Sequence, residues 1–147
     1  MRMAVTKADD KTETKLRLTE RLRSILLELP EVCYDFILSV ESNTSMLTRI
    51  NYAGDLRTFF RFLDSELQLF SRPVRDLSAD DLKLVESRHI EMFLHYLSVY
   101  KHDDLILENK NPGKKRKLSA VRTFFKYMLK HEYIPSLTTA IIDTPKI

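Results

Sequence analysis

The chain has 147 residues, 44% hydrophobic and 31% charged, with a formal net charge of +3 at pH 7. That balance is expected of a folded, soluble domain and excludes a disordered one. No apolar run approaches the ~20 residues of a bilayer-spanning helix, the charged N-terminus lacks the apolar core of a secretory signal, and a single cysteine, Cys33, excludes an internal disulfide framework.

Only two glycines occur, Gly54 and Gly113, too few for the tight turns of a sheet protein, so helices are expected. Residues 1–12 are polar and read as loose. From about 13 to 29, Leu18, Leu22, Ile25 or Leu26, and Leu29 recur at helical spacing. Pro30 suits the first turn of a further helix carrying Val32, Cys33, Phe36, Ile37 and Val40, and Glu41–Thr44 reads as a linker. A long helix is expected over about 45–67, where Leu47, Ile50, Ala53, Leu56, Phe60 and Leu63 step by three and four and Phe59 widens the face. Residues 70–75 read as a loop. Ser78-Ala79-Asp80-Asp81 resembles a capping box opening a short helix, and Ser87 reads as the cap of another bearing Ile90, Phe93, Leu94, Leu97 and Tyr100. His102 to Asn111 reads as an exposed connection and Asn111-Pro112-Gly113 as a turn. A basic helix is expected over 114–131, with Leu118, Val121, Phe125 and Met128 or Leu129 inward and Lys115, Ser119, Arg122 and Lys126 on the opposite face. Pro135 is expected to break it, residues 136–142 to form one short helical turn, and Thr144-Pro145-Lys146-Ile147 to be extended. This ending is expected of a piece of a longer protein.

Charge is unevenly distributed. Residues 110–147 carry nine Lys and Arg against two Asp and Glu, whereas residues 45–109 carry eight against eleven. A basic end hidden behind a near-neutral total is the electrostatic footprint of a polyanion-binding surface. Lys114, Lys115, Arg116 and Lys117 suit phosphates, with affinity that falls as salt rises, and Arg122 on the same face suits a guanine edge in a major groove. A solvated face, a flexible anchor or a localisation tag accounts for the same charge. Ser45, Thr48, Arg49, Asn51 and Tyr52 form a second polar cluster suited to phosphate, although Ser45 and Thr48 also serve as caps and Tyr52 as packing.

Enzyme chemistry has little support. His89, His95, His102 and His131 lack metal-ligand spacing, so no metal or cofactor is expected. Cys33 lies on an apolar face, as a structural thiol does, and Asp80-Asp81 and Asp103-Asp104 read as capping and loop residues. The apolar positions of 13–29 suit packing on their own domain or on a partner protomer.

Residues 45–63 carry Ser45, Thr48, Tyr52, Asp55, Leu56, Arg57, Phe59, Phe60, Phe62 and Leu63. Residues 116–127 carry Leu118, Ser119, Arg122, Phe124, Phe125 and Tyr127, and Asp76-Leu77-Ser78 and His89–Leu97 lie between. In this order and spacing they resemble the N-terminal, core-binding domain of tyrosine recombinases (phage integrases), over about residues 30–147. Leu137-Thr138 stands where the family often has Asn-Pro.

The resemblance implies an all-α fold, a compact SAM-like bundle of four to five helices, over 30–134. Residues 1–29 would be an N-terminal helical extension and 135–147 a linker toward a catalytic domain. It implies half of a clamp on double-stranded DNA within a site-specific recombinase that integrates or excises mobile DNA. The nucleophilic tyrosine would lie elsewhere, so Tyr34, Tyr52, Tyr96, Tyr100, Tyr127 and Tyr133 are not candidates and this fragment is not itself an enzyme. Expected DNA contacts are Lys114, Lys115, Arg116 and Lys117 to phosphate, Ser119, Arg122 and Lys126 along the major groove, and Thr48, Arg49 and Asn51 to the backbone. Other recombinase protomers are expected partners; a membrane or small-molecule substrate is not. The expected setting is the cytoplasm, with a bacterial or phage-encoded protein on the nucleoid. A helical protein-interaction module and a stand-alone DNA-binding regulator remain the alternatives.

Overall fold

Five α-helices and one small hairpin make up the computed structural model, which describes residues 9–140 and 142–145. The stretch 1–8, Ile141 and Lys146-Ile147 lie outside the described residues, so the loose N-terminus is untested there, as are Ile141 of the turn expected over 136–142 and the end of the extended segment.

Helix α1 (Asp10–Leu26) starts earlier than the apolar spacing alone predicts, because the Asp9 carboxylate accepts the Thr12 N–H at 2.7 Å. Helix α2 (Glu31–Ser39) follows Pro30, which is its N-cap and not a first-turn residue. Glu41–Asn43 forms a 3-10 turn. Helix α3 (Met46–Arg61) is capped by Ser45, whose Oγ accepts the Thr48 N–H at 3.1 Å, and runs into a π turn over Phe62–Glu66. Helix α4 (Ser87–Tyr96) and helix α5 (Asn111–Lys130) complete the set.

Phe36, Phe59, Phe60, Phe93, Phe124 and Phe125 are fully buried. They come from α2, α3, α4 and α5 and meet edge to face: Phe59 and Phe93 lie 5.1 Å apart at 69°, and Phe36 and Phe124 5.6 Å apart at 75°. Such geometry adds about 0.5–1.5 kcal/mol per pair beyond area burial. Helix α1 packs along α3 and adds Leu22, Ile25 and Leu26 to the same core, with Leu29 just beyond it. Glu28 then accepts from both Arg57 and Arg61 of α3 at 2.9 Å.

The all-α expectation holds, with local corrections. The connection expected at 102–111 instead contains an antiparallel hairpin of β1 (Tyr100–His102) and β2 (Leu105–Leu107), with Tyr100 opposite Leu107. Asp103 turns it at φ 53°, a conformation Asp tolerates better than most residues. Tyr100 is therefore a strand residue and not part of α4. Ser87 does not cap α4: Glu86 is the N-cap, its N–H donating to His89 Nδ1 at 2.9 Å, while Ser87 Oγ donates to the Thr138 carbonyl. The segment opened by Ser78 is a 3-10 turn, Asp80–Leu84, although Ser78 and Asp81 do exchange capping bonds. Leu47 is 58% exposed and lies off the buried face of α3.

The largest correction concerns α5. Asn111-Pro112-Gly113 is its first turn and not a separate loop. Proline fits there because a first-turn N–H has no partner within the helix. At the other end, α5 stops at Lys130, ahead of Pro135. Glu132 takes a left-handed φ of 61° and the Tyr133 N–H closes on the Met128 carbonyl at 2.9 Å. Residues 138–140 form a turn closed by the Ala140 N–H on the Leu137 carbonyl, and no helix is described over 136–140.

Candidate nucleic-acid interface

Helix α3 presents Thr48, Asn51, Tyr52 and Asp55 on one face, at the spacing that stacks side chains along a helix. Helix α5 presents Pro112, Lys115, Arg116 and Ser119. These eight residues line one groove between the two helices. The two polar clusters recognised separately in the sequence thus face each other in the fold. Lys115, Arg116, Asn51 and Ser119 are exposed, and Thr48 and Tyr52 are half-buried. Tyr52 leans on Phe36, ring centroids 6.0 Å apart, so its ring is a wall of the groove. Lys126 is exposed further along α5.

The remaining candidate cations have partners inside the protein. Arg49 is buried, and its Nη1 donates to the carbonyls of Glu41 and Thr44 at 2.9 and 2.6 Å. It holds the turn that enters α3. Lys117 is also buried, with Nζ donating to Asn109 Oδ1 at 2.7 Å. Burial lowers its pKa, against the pull of Asp55. Helical geometry explains why Lys117 differs from its neighbours: successive residues turn by about 100°, so a run of four cations cannot all face solvent. Lys114 Nζ donates to Ser98 Oγ at 2.6 Å. Arg122 donates through Nη1 to Thr144 Oγ1 at 2.5 Å and through Nη2 to the Ile142 carbonyl. With Thr139 and Ile142 buried and Thr138 held by Ser87, residues 137–140 and 142–144 form a strap across the bundle.

Asp55 is buried and accepts from Arg116 Nη2 at 2.9 Å, joining α3 to α5. Burial raises its pKa even though Arg116 and Lys117 pull the other way. The groove's periodicity on α3, Thr48 to Asn51 or Tyr52 to Asp55, was available in the sequence. The partner of Asp55, sixty-one positions away, was not. Arg57 likewise pairs with Glu28 of the segment after α1.

Among the described residues no three His, Cys, Asp or Glu side chains gather as a metal site, and no helix is long and apolar enough to cross a membrane. Cys33 is buried, which pushes its thiol pKa far up. The groove therefore offers hydroxyl, amide, ammonium and guanidinium donors, a set suited to holding an extended polyanion.

The chain is 34% identical over 117 residues to a curated tyrosine recombinase, XerC of Natranaerobius thermophilus, and the match covers 76% of this chain and 32% of that relative. The chain thus spans about a third of the length of the curated relative it matches. No family model matches the chain. No solved structure matches it either.

Proposed function

We propose, from the premise that this chain contains a tyrosine recombinase-like domain, that it binds duplex DNA and positions a recombination site for strand exchange. The observation that carries this reading is the groove in which Thr48 and Asn51 of α3 face Lys115, Arg116 and Ser119 of α5. In this reading those five side chains, with Lys126, contact the DNA directly. Arg49, Lys114, Lys117 and Arg122 act from their bonded positions, by holding the interface and by adding to its positive field. The chemistry of cleavage and rejoining belongs to the rest of a site-specific recombinase that integrates or excises mobile DNA, working with other protomers. This domain contributes affinity and register.

Phosphate contacts make a specific demand. Each neutralised phosphate contributes a slope of about −0.9 in log affinity against log salt. A salt titration against random duplex DNA, with backbone NMR shift mapping of the bound chain, tests the reading. Steep salt dependence, with shifts centred on residues 45–55 and 111–126, supports it. Absence of binding at low salt, or shifts centred on α1, would sink it and favour a protein partner.

A further inference from the structure

An acidic side chain in a groove suited to a polyanion opposes simple charge complementarity, so Asp55 needs a reason to be there. Its side chain is 5% exposed, whereas that of its partner Arg116 is 57% exposed. Both line the groove. Among the described residues this is the only ion pair between α3 and α5. Lys117, the other cation beside the carboxylate, hydrogen-bonds Asn109 instead and leaves Asp55 to the arginine.

We propose that Asp55 is a positioning residue: it holds one edge of the Arg116 guanidinium so that the remaining donors point into the groove and take a DNA phosphate. This inference rests on the DNA-binding reading above. Guanidinium has five N–H donors in a rigid planar fork. One of them, on Nη2, meets Asp55 Oδ1, and the others remain for a ligand. Fixing the fork before binding removes the rotamer entropy that a long cationic side chain otherwise loses on docking. The carboxylate is almost wholly buried and the guanidinium more than half exposed, so Asp55 takes one donor and leaves the exposed part of the fork to a ligand.

Charge and positioning predict opposite signs for Asp55→Asn. Removing a negative charge beside the groove, by charge alone, tightens DNA binding. Loss of positioning weakens it. The experiment is a salt titration with random duplex DNA for the wild-type chain, Asp55→Asn and Arg116→Lys, together with the Arg116 Nε–H NMR signal of the wild-type and Asp55→Asn chains free of DNA. The expected result for Asp55→Asn is binding about 5–10-fold weaker at fixed salt, a slope shallower by about 0.9, and an Arg116 signal moved to the averaged, mobile position. Arg116→Lys keeps the charge but not the fork, and should weaken binding to a similar extent; Asp55→Asn added to it should weaken binding no further. Arg116→Lys leaves the buried carboxylate in place and so keeps the test available if Asp55→Asn fails to fold. Equal or tighter binding by Asp55→Asn, an unmoved Arg116 signal, or full binding by Arg116→Lys would overturn the proposal while leaving the groove's DNA role intact. Failure of the wild-type chain to bind DNA would remove both.

Discussion

Neighbouring residues of identical type, two positions apart, do different work in this chain. Lys115 is exposed on the groove, while Lys117, two positions on, is buried against Asn109. Lys115→Ala should weaken DNA binding at all sequences and leave the thermal midpoint unchanged. Lys117→Ala leaves the Asn109 amide without its partner and should lower stability by about 1–2 kcal/mol, read from denaturant midpoints at unchanged m. Two carboxylates should show opposite pH behaviour. At Glu28, burial raises the pKa, but the hydrogen bonds from Arg57 and Arg61 outweigh it and leave the value below 4.5. Its contribution is present above that value and lost as the pH falls through the folded pKa. Because all three side chains are partly exposed, Glu28→Gln should cost only about 0.5–1 kcal/mol at neutral pH, and the gap should close in acid. Asp55 is shifted up by burial from 3.8. Its contribution is present below that value and lost as the pH rises through the folded pKa, so wild type should lose stability relative to Asp55→Asn over that interval. Denaturation curves at a series of pH values check both signs.

Elements are joined here by side chains that the local sequence pattern leaves unassigned. Arg122 lies on the outer face of α5, as its spacing predicts, but it reaches the Ile142 carbonyl and Thr144. Arg122→Ala should free the strap, residues 137–140 and 142–144, without unfolding the helices. Hydrogen exchange at the Ala140 and Ile142 amides, bonded to the Leu137 and Thr139 carbonyls, should accelerate about tenfold or more, while amides within α3 stay protected. Equal protection in wild type and variant would show that the strap is seated without Arg122, by the burial of Thr139 and Ile142 and the Ser87 bond to Thr138. The helices themselves were legible because their apolar residues recur at a period of 3.6, which reports burial directly. Their ends were less so. Pro112 and Gly113 carry strong turn propensity, yet a first helical turn accepts proline, and only the continuing chain decides between the two.

At the scale of the whole molecule the six fully buried phenylalanines make one cooperative unit. Phe124 touches Phe36, Phe60 and Phe125, from α2, α3 and α5. Phe124→Ala should cost about 3–5 kcal/mol, whereas Leu47→Ser, at an exposed position, should fall within about ±0.5 kcal/mol. Cys33 lies in the same core with no exposed surface. Thiol labelling under native conditions should therefore proceed only as fast as the bundle opens, and Phe124→Ala should speed it strongly. Rapid labelling of the folded wild type would show that α2 detaches on its own.

By itself the sequence determined the helical class, the inward residues of α3 apart from Leu47, the inward stripe Leu118, Val121, Phe125 and Met128 of α5, and the basic character of the C-terminal quarter. Each follows from a property that neighbouring residues share, namely apolar period, propensity or summed charge. Only the tertiary structure decided which polar side chains meet. Thr48 and Asn51 face Lys115 and Ser119 because α3 packs on α5. Asp55 finds Arg116, and Arg122 finds the strap, across gaps that no local pattern spans. A long side chain such as arginine or lysine selects its partner by direction and distance in three dimensions. The division of a cationic run into groove residues and internal struts therefore existed only once the helices were packed.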